Sequence, residues 1–300
     1  MTTAPAAKVA QTPKSMELAA RLYRRRRFAD WFVRGMAVLT TAFGIFWLAW
    51  ILLTIFQYGL EGMRWELFTQ DTPPPGVDGG GLRNAIVGSL MILSVSVLLG
   101  APLGVLVGTF LAEFGRGTKL ADLIRFISEI LLSAPSVVIG LFVYTLMVRP
   151  MGHFSGLAGG VALAIIMLPV IIRTTEEMLR LVPGSLREAA LALGAPYWMV
   201  VTRVAYRAAL PGILTGMLLA LARAAGETAP LLFTALNNQY WSASLLKPMA
   251  NLPMVIFQFA MSPYEQWHHL AWAGAFIITA GILTLSVSAR AFLSKKRQAA

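Results

Sequence analysis

Long apolar runs broken by short polar connections dominate this chain. A helix needs about 20 mostly apolar residues to cross the hydrocarbon core of a bilayer. Six windows meet that requirement: 35–58, 86–112, 124–148, 157–173, 209–235 and 270–289. The fourth is short. Its start holds Gly156, Gly159 and Gly160, which a membrane helix tolerates when neighbouring helices pack on them. Pro135, flanked by Ser133 and Ser136, is expected to loosen the third helix. The freed carbonyls and hydroxyls there either line a path or accompany a simple packing kink. Pro102, with Gly100 and Gly104, is expected to form a similar hinge in the second. LPMVIFQFAM, 252–261, is too short to span and is expected at the interface or tucked against the bundle. The pattern predicts an all-α membrane protein with six transmembrane helices.

Composition agrees. Hydrophobic residues make up 57% of the 300, charged residues 13%, and mean hydropathy is +0.68. Soluble chains carry about 25% charged residues. There is no cysteine, which removes disulfides, thiolate metal sites and thiol nucleophiles. His268 and His269 would point about 100° apart on a helix. Beside Trp267 and Trp272 they read as interfacial residues, so no metal site is expected. GRGTK, 115–119, lacks the spacing of a phosphate-binding loop and its following Ser or Thr. The chain is therefore not expected to bind or hydrolyse nucleotide, and no catalytic residue or cofactor is assigned.

The net charge of +11 bears on orientation rather than on nucleic acid, because the basic residues cluster beside apolar spans. RRRR at 24–27 precedes a first apolar run too long for a signal-peptide core, so this run reads as an uncleaved span. With the amino end inside, the inner segments 1–34, 113–125, 173–207 and 290–300 hold 8, 3, 5 and 4 Lys and Arg. The outer segments hold Arg64, Arg83, Arg149 and Lys247. This asymmetry predicts both termini in the cytoplasm. The outer loop 61–84, with DTPPPGVDGGG, is expected to be mobile. The basic segment KSMELAARLYRRRRF reads equally as an amphipathic surface helix or as a disordered tail.

Between spans four and five lies SLREAALALGAPYW, 185–198, too polar to cross a membrane. Ser185 as N-cap with Glu188 three residues on would form a capping box. Ala189 to Leu193 favour helix, Gly194 can supply the left-handed residue that ends it, and Pro196 suits the first turn of a second helix. A short stiff helix with a sharp corner is predicted.

EAALALG, 188–194, resembles the cytoplasmic EAA---G loop of ATP-binding-cassette importer permeases. Glu188, Ala189, Ala190 and Gly194 match its fixed positions. In that family the loop helix docks in a cleft of the ATPase and transmits its motion to the spans. Ser185 belongs to the same candidate coupling set. The family usually continues to a hydrophobic-x-Leu-Pro ending. Here Val204-Ala205-Tyr206-Arg207 stands in that place, and Pro211 is expected to take over the break. APSVVIGLFVY (134–144), FSGLAGGVALAIIMLPVIIRTTEEMLRLVP (154–183), ARAAGETAPLLFTA (222–235) and LPMVIFQFAMSPYEQWHHLAW (252–272) resemble the A-type permease subunits of phosphate-specific transporters.

In span five, Ala209, Gly212, Gly216, Ala220, Arg223, Glu227, Pro230 and Thr234 recur every three or four residues, so one helical face is expected to carry them all. A mid-membrane arginine costs at least about 2.5–3.5 kcal/mol. Arg223 and Glu227 therefore form either an ion pair that fixes packing or a gate for a passing oxyanion, which guanidinium forks match bidentately. Arg173 reads equally as a snorkelling anchor and as a residue of the inner exit. Arg173, Arg223, Glu227, Thr228, Ser133 and Ser136 make up the candidate substrate pathway.

The resemblance implies a type I importer permease of MetI-like fold in the bacterial inner membrane. Its organisation would be a basic tail 1–34, a first helix and external loop 35–84, a core 85–290 with coupling loop 174–207, and a basic tail 291–300. It implies passage of inorganic phosphate, a second permease subunit, an ATPase dimer and a periplasmic phosphate-binding protein. Lipid surrounds the spans, and no nucleic acid takes part. A permease for sulfate or molybdate, and an ATP-independent secondary transporter or channel, remain as alternatives.

Overall fold

The computed structural model describes residues 13–77 and 79–298. The first twelve residues of the basic amino-terminal tail, Asp78 and the last two residues lie outside the described set. The chain divides into two compact units, Met1–Thr54 and Ile55–Ala300.

In the first unit the described chain is helical throughout, as part of helix α1, Pro13–Glu61. The span expected at 35–58 is the apolar part of this longer helix. The basic run 24–27 lies within it, so the segment from Pro13 onward is helix.

The second unit holds the remaining elements in this order: α2 (Glu66–Thr69), α3 (Arg83–Thr109), α4 (Lys119–Ser133), α5 (Ser136–Val143), α6 (Arg149–Met151) and α7 (Gly156–Arg180). They are followed by α8 (Gly184–Ala192), α9 (Tyr197–Met199), α10 (Tyr206–Ala225), α11 (Ala229–Thr234), α12 (Leu252–Ala260) and α13 (Glu265–Gln298). Wider π turns extend α3 over Phe110–Phe114 and precede α10 over Val200–Ala205. Among the described residues, five helices are long and apolar enough to cross a membrane, and a sixth span results if α4 and the following bent segment count as one.

Helix α7 is the centre of this unit, packed most extensively on α3 and then on α10. In lipid the gain from such contact is close packing rather than escape from water, and small residues supply it. A Cβ on Gly160 would lie 2.5 Å from Val95. On α10, Gly212 meets Met178 and Gly216 meets Thr174. The glycines expected to need packing partners thus have them. The shared core is Ile92, Leu163, Met167, Ile171, Ala220 and Ala224.

Several expectations are corrected. The fourth span is not short, because α7 has 25 residues. The third does break at Pro135 as expected, with a bend of 107° between α4 and the segment from Ser136. Ala134 there is extended (φ −67°, ψ 134°), as a residue before proline prefers. Pro102 makes no break: α3 continues through it to Thr109. The fifth span does not run unbroken to 235. Helix α10 stops at Ala225, Gly226 caps it, and α11 begins at Ala229 with Pro230 in its first turn. Pro230 has no N–H to continue the ladder and its ring would clash with the carbonyl of residue 226.

The loop 61–84, expected to be mobile, has residues 71–72 tied to 83–84. Asn84, 4% exposed, donates to the carbonyl oxygens of Asn238 (3.0 Å) and Gln239 (3.2 Å) and accepts from the Thr72 N–H at 3.1 Å. Arg83 grips Asp71 with two bonds of 3.0 and 3.1 Å and lies 4.6 Å over the Trp241 ring. The buried amide of Asn84 thereby has partners for its polar atoms. The run 252–261 is tucked in as expected: Asn251 caps α12, and Leu252, Met254, Val255 and Phe259 are buried.

Candidate functional site

The connection between α7 and α10 has the predicted form with one correction. Ser185 is not the N-cap. Pro183 occupies that position with φ −57° and ψ 140°, and α8 begins at Gly184. Proline's fixed φ already turns the chain into the helix, so Ser185 lies within the first turn and no capping box forms. Gly194 does adopt the left-handed conformation, φ +81°. Its N–H donates to the Leu191 carbonyl at 2.9 Å, and the Ala195 N–H donates to the Ala190 carbonyl at 3.2 Å. Pro196 caps α9.

No residue of α8 is buried. Glu188 and Ala189 are exposed, and Leu193 beyond the helix is 89% exposed, with Trp198 at 60%. One side chain of α8 turns inward. Arg187 donates to the Val182 carbonyl (2.6 Å), the Leu179 carbonyl (2.8 Å) and Glu113 Oε1 (2.6 Å). Glu113, on the π turn that ends α3, also accepts from the Tyr197 hydroxyl at 2.9 Å.

A second group of charges lies beside it on α4 and α7. Glu176, one of the buried charged residues, receives Arg125 at 3.0 Å and Arg180 at 2.6 Å. Arg125 also holds Asp122 at 3.0 Å. Arg173 pairs with Glu177 at 3.0 Å, both well exposed. A cavity of about 180 Å³ opens among Arg125, Glu129, Arg173, Glu176 and Glu177.

The third group is the expected pair in span five. Arg223 Nε stands 3.8 Å from Glu227 Oε1, with Arg223 49% and Glu227 17% exposed. The single helical face is corrected here. Ala209, Gly216 and Ala220 are buried along the seam, but the buried continuation is Ala224, not Arg223. Glu227 lies beyond the helix end. A long guanidinium leaves such a seam because burying it against apolar side chains would go uncompensated. Thr228 precedes α11 without a side-chain cap. Ser133 and Ser136 flank the α4–α5 corner, and the Ser133 hydroxyl donates to its own helix at Ile130 (2.9 Å). Among the described residues no cluster of metal-ligating side chains occurs. His268 is engaged with the Ser262 carbonyl at 2.8 Å.

Residues 102–298 match the family model for the binding-protein-dependent transport system inner membrane component. A phosphate transport system permease protein PstA of Yersinia pestis is 54% identical over 275 residues, 92% of each chain. The chain belongs to the PstA family. Another PstA, from Pasteurella multocida, is 52% identical over 90% of this chain and 96% of its own. A probable PstA of Methanocaldococcus jannaschii is 38% identical over 70% and 75%. Among solved structures, a chain of the inward-facing MetNI methionine ABC transporter aligns with a TM-score of 0.52 at 19% identity, over 72% of this chain and 95% of that one. A chain of a bacterial ABC transporter that imports alginate aligns at 0.59 and 14%, over 92% and 99%. At these identities the structures establish the fold: this is the MetI-like permease fold.

Within this PstA-family chain, sequence reasoning found the exposed helix and its glycine corner but missed Glu113, Arg187 and Tyr197, which hold them. Arg187 sits inside the loop 185–198, yet its partner lies 74 residues away. The one visible signal was Glu113 itself, an acidic residue at the end of an apolar span.

Proposed function

We propose that this chain is the permease subunit of an ATP-driven importer that passes inorganic phosphate across the bacterial inner membrane. The observation that carries the reading is α8: a short exposed helix, closed by a left-handed glycine, fixed to the ends of α3 and α7. A rigid exposed lever of this kind suits a partner that pushes, and the apolar side chains around it (Leu186, Leu191, Leu193 and Trp198) suit burial in a protein cleft. The positive-inside bias puts this loop and both termini in the cytoplasm. The partner there is a separate ATPase dimer, since this chain holds no phosphate-binding loop. A second permease subunit completes the pathway, and a periplasmic phosphate-binding protein delivers the substrate to the outer loops.

Phosphate as the substrate is supported by the naming of the PstA relatives together with Arg223. Its guanidinium is half exposed and stands farther from Glu227 than hydrogen-bonding distance, so its donors are free to grip an oxyanion bidentately. The nearby carboxylate keeps that grip weak, as a transit site requires. Arg173, at the inner end of α7, serves the exit, and Ser133, Ser136 and Thr228 line helix breaks along the way. Reconstitution of the complete complex in liposomes tests the proposal. ATP should drive uptake of labelled phosphate, and excess sulfate or molybdate should leave it intact. Competition by sulfate at equal concentration, or uptake by the purified chain alone, would reject it.

A further inference from the structure

Glu113 is 3% exposed in its side chain, sits outside the loop that faces the ATPase, and takes no part in the proposed substrate pathway. A buried carboxylate is costly unless paired, and its two oxygens are committed to two different places. Oε1 receives Arg187 from α8, and Oε2 receives Tyr197 from the far side of the Gly194 corner. Arg187 at the same time donates to the carbonyls of Leu179, in the last turn of α7, and of Val182, two residues past its end, where a cation also meets the negative end of the helix dipole. Phe114, next in the chain, packs edge-on to Tyr197 with centroids 5.6 Å apart. One carboxylate thus joins the ends of α3 and α7 to both arms of the loop.

Resting on the coupling role proposed above, we propose that Glu113, Arg187 and Tyr197 are the positioning residues of force transmission: they clamp α8 and α9 so that displacement of the loop moves α3 and α7 as one body. The glycine corner alone cannot do this. Apart from its chain neighbours, Gly194 has no atom within 4 Å of the Cβ position that it lacks, so no side chain braces that face of the bend, and the bonds of Arg187 and Tyr197 brace it from either side. With the clamp open, the loop can still occupy the ATPase cleft, but its motion is absorbed at the corner and does not reach the spans.

The test uses the complete reconstituted complex and reads phosphate imported per ATP hydrolysed. A merely structural residue would lower both quantities together, whereas a transmission residue lowers their ratio. Tyr197→Phe removes one hydroxyl from a partly exposed ring and leaves the fold intact. Glu113→Gln removes the charge at constant size. Tyr197→Phe should cut the ratio by roughly tenfold, the equilibrium equivalent of one hydrogen bond to a charged group, and Glu113→Gln by more, with ATPase copurification unchanged. Hydrogen exchange of residues 184–199 should quicken in both variants. An unchanged ratio in an assembled Tyr197→Phe complex would overturn the proposal, whether or not Glu113→Gln assembles. If the wild-type complex imports no phosphate, the transport reading fails instead. Exchange then decides the clamp by itself, with unaltered protection of 184–199 counting against it.

Discussion

Arg223 and Glu227 face each other across the end of α10 at 3.8 Å, near enough to balance charge and too far to share a hydrogen bond. The separation follows from the chain. Arg223 is on the last turn of α10, whereas Glu227 lies in the break forced by Gly226 and Pro230. Had the helix continued, the two would be ordinary neighbours one turn apart, able to bond directly. The break instead leaves a cation whose donors are open beside a carboxylate that tempers it.

Replacement of Arg223 tests that arrangement. Arg223→Gln should abolish phosphate uptake in the reconstituted complex while copurification of the other subunits is retained, because a neutral amide cannot offer the charged bidentate fork. Arg223→Lys should retain part of the activity as a point charge. Uptake at the wild-type rate in Arg223→Gln would exclude a transit role.

The corner at Gly194 makes a backbone prediction. A β-branched residue is poorly accommodated at φ +81°, and left-handed backbone costs an L-residue about 1–2 kcal/mol. Gly194→Val should therefore misplace α9 and reduce ATPase copurification and transport together. Gly194→Asn, which tolerates this region, should preserve both. Equal behaviour of the two variants would show that the left-handed turn is immaterial.

Glu176 makes a stability prediction. It is the shared partner of Arg125 on α4 and Arg180 on α7. Removing one member of a fully buried pair costs roughly 3–5 kcal/mol, but both arginines here are partly exposed, so Glu176→Gln should cost about 1–2 kcal/mol. Thermal unfolding of the purified chain in detergent should shift down by a few degrees. An unshifted midpoint would mean that this network does not hold α4 to α7.

The spans were legible because a bilayer demands apolar runs of fixed length, and the glycine corner because few residues accept its conformation. What the sequence hid was pairing at a distance. Nothing local links Glu113 to Arg187, or Asn84 to the carbonyls of 238 and 239. Local signals also competed. Ser185 with Glu188 has the spacing of a capping box, but Pro183 starts the helix two residues earlier. In span five the apolar run outweighed Gly226 and Pro230, which together end it. The periodic stripe remained a good guide only as far as Ala220, where α10 still packs on α7.

The central claim is that α8 lies in the cytoplasm and receives the ATPase. Because the chain has no cysteine, Leu193→Cys places its sole thiol at an 89% exposed position beside the corner. Labelling with a membrane-impermeant maleimide reads the claim directly. Reaction from the cytoplasmic face, blocked when the ATPase subunits are bound, is the predicted result. Reaction from the external face, or undiminished labelling in the assembled complex, would contradict it.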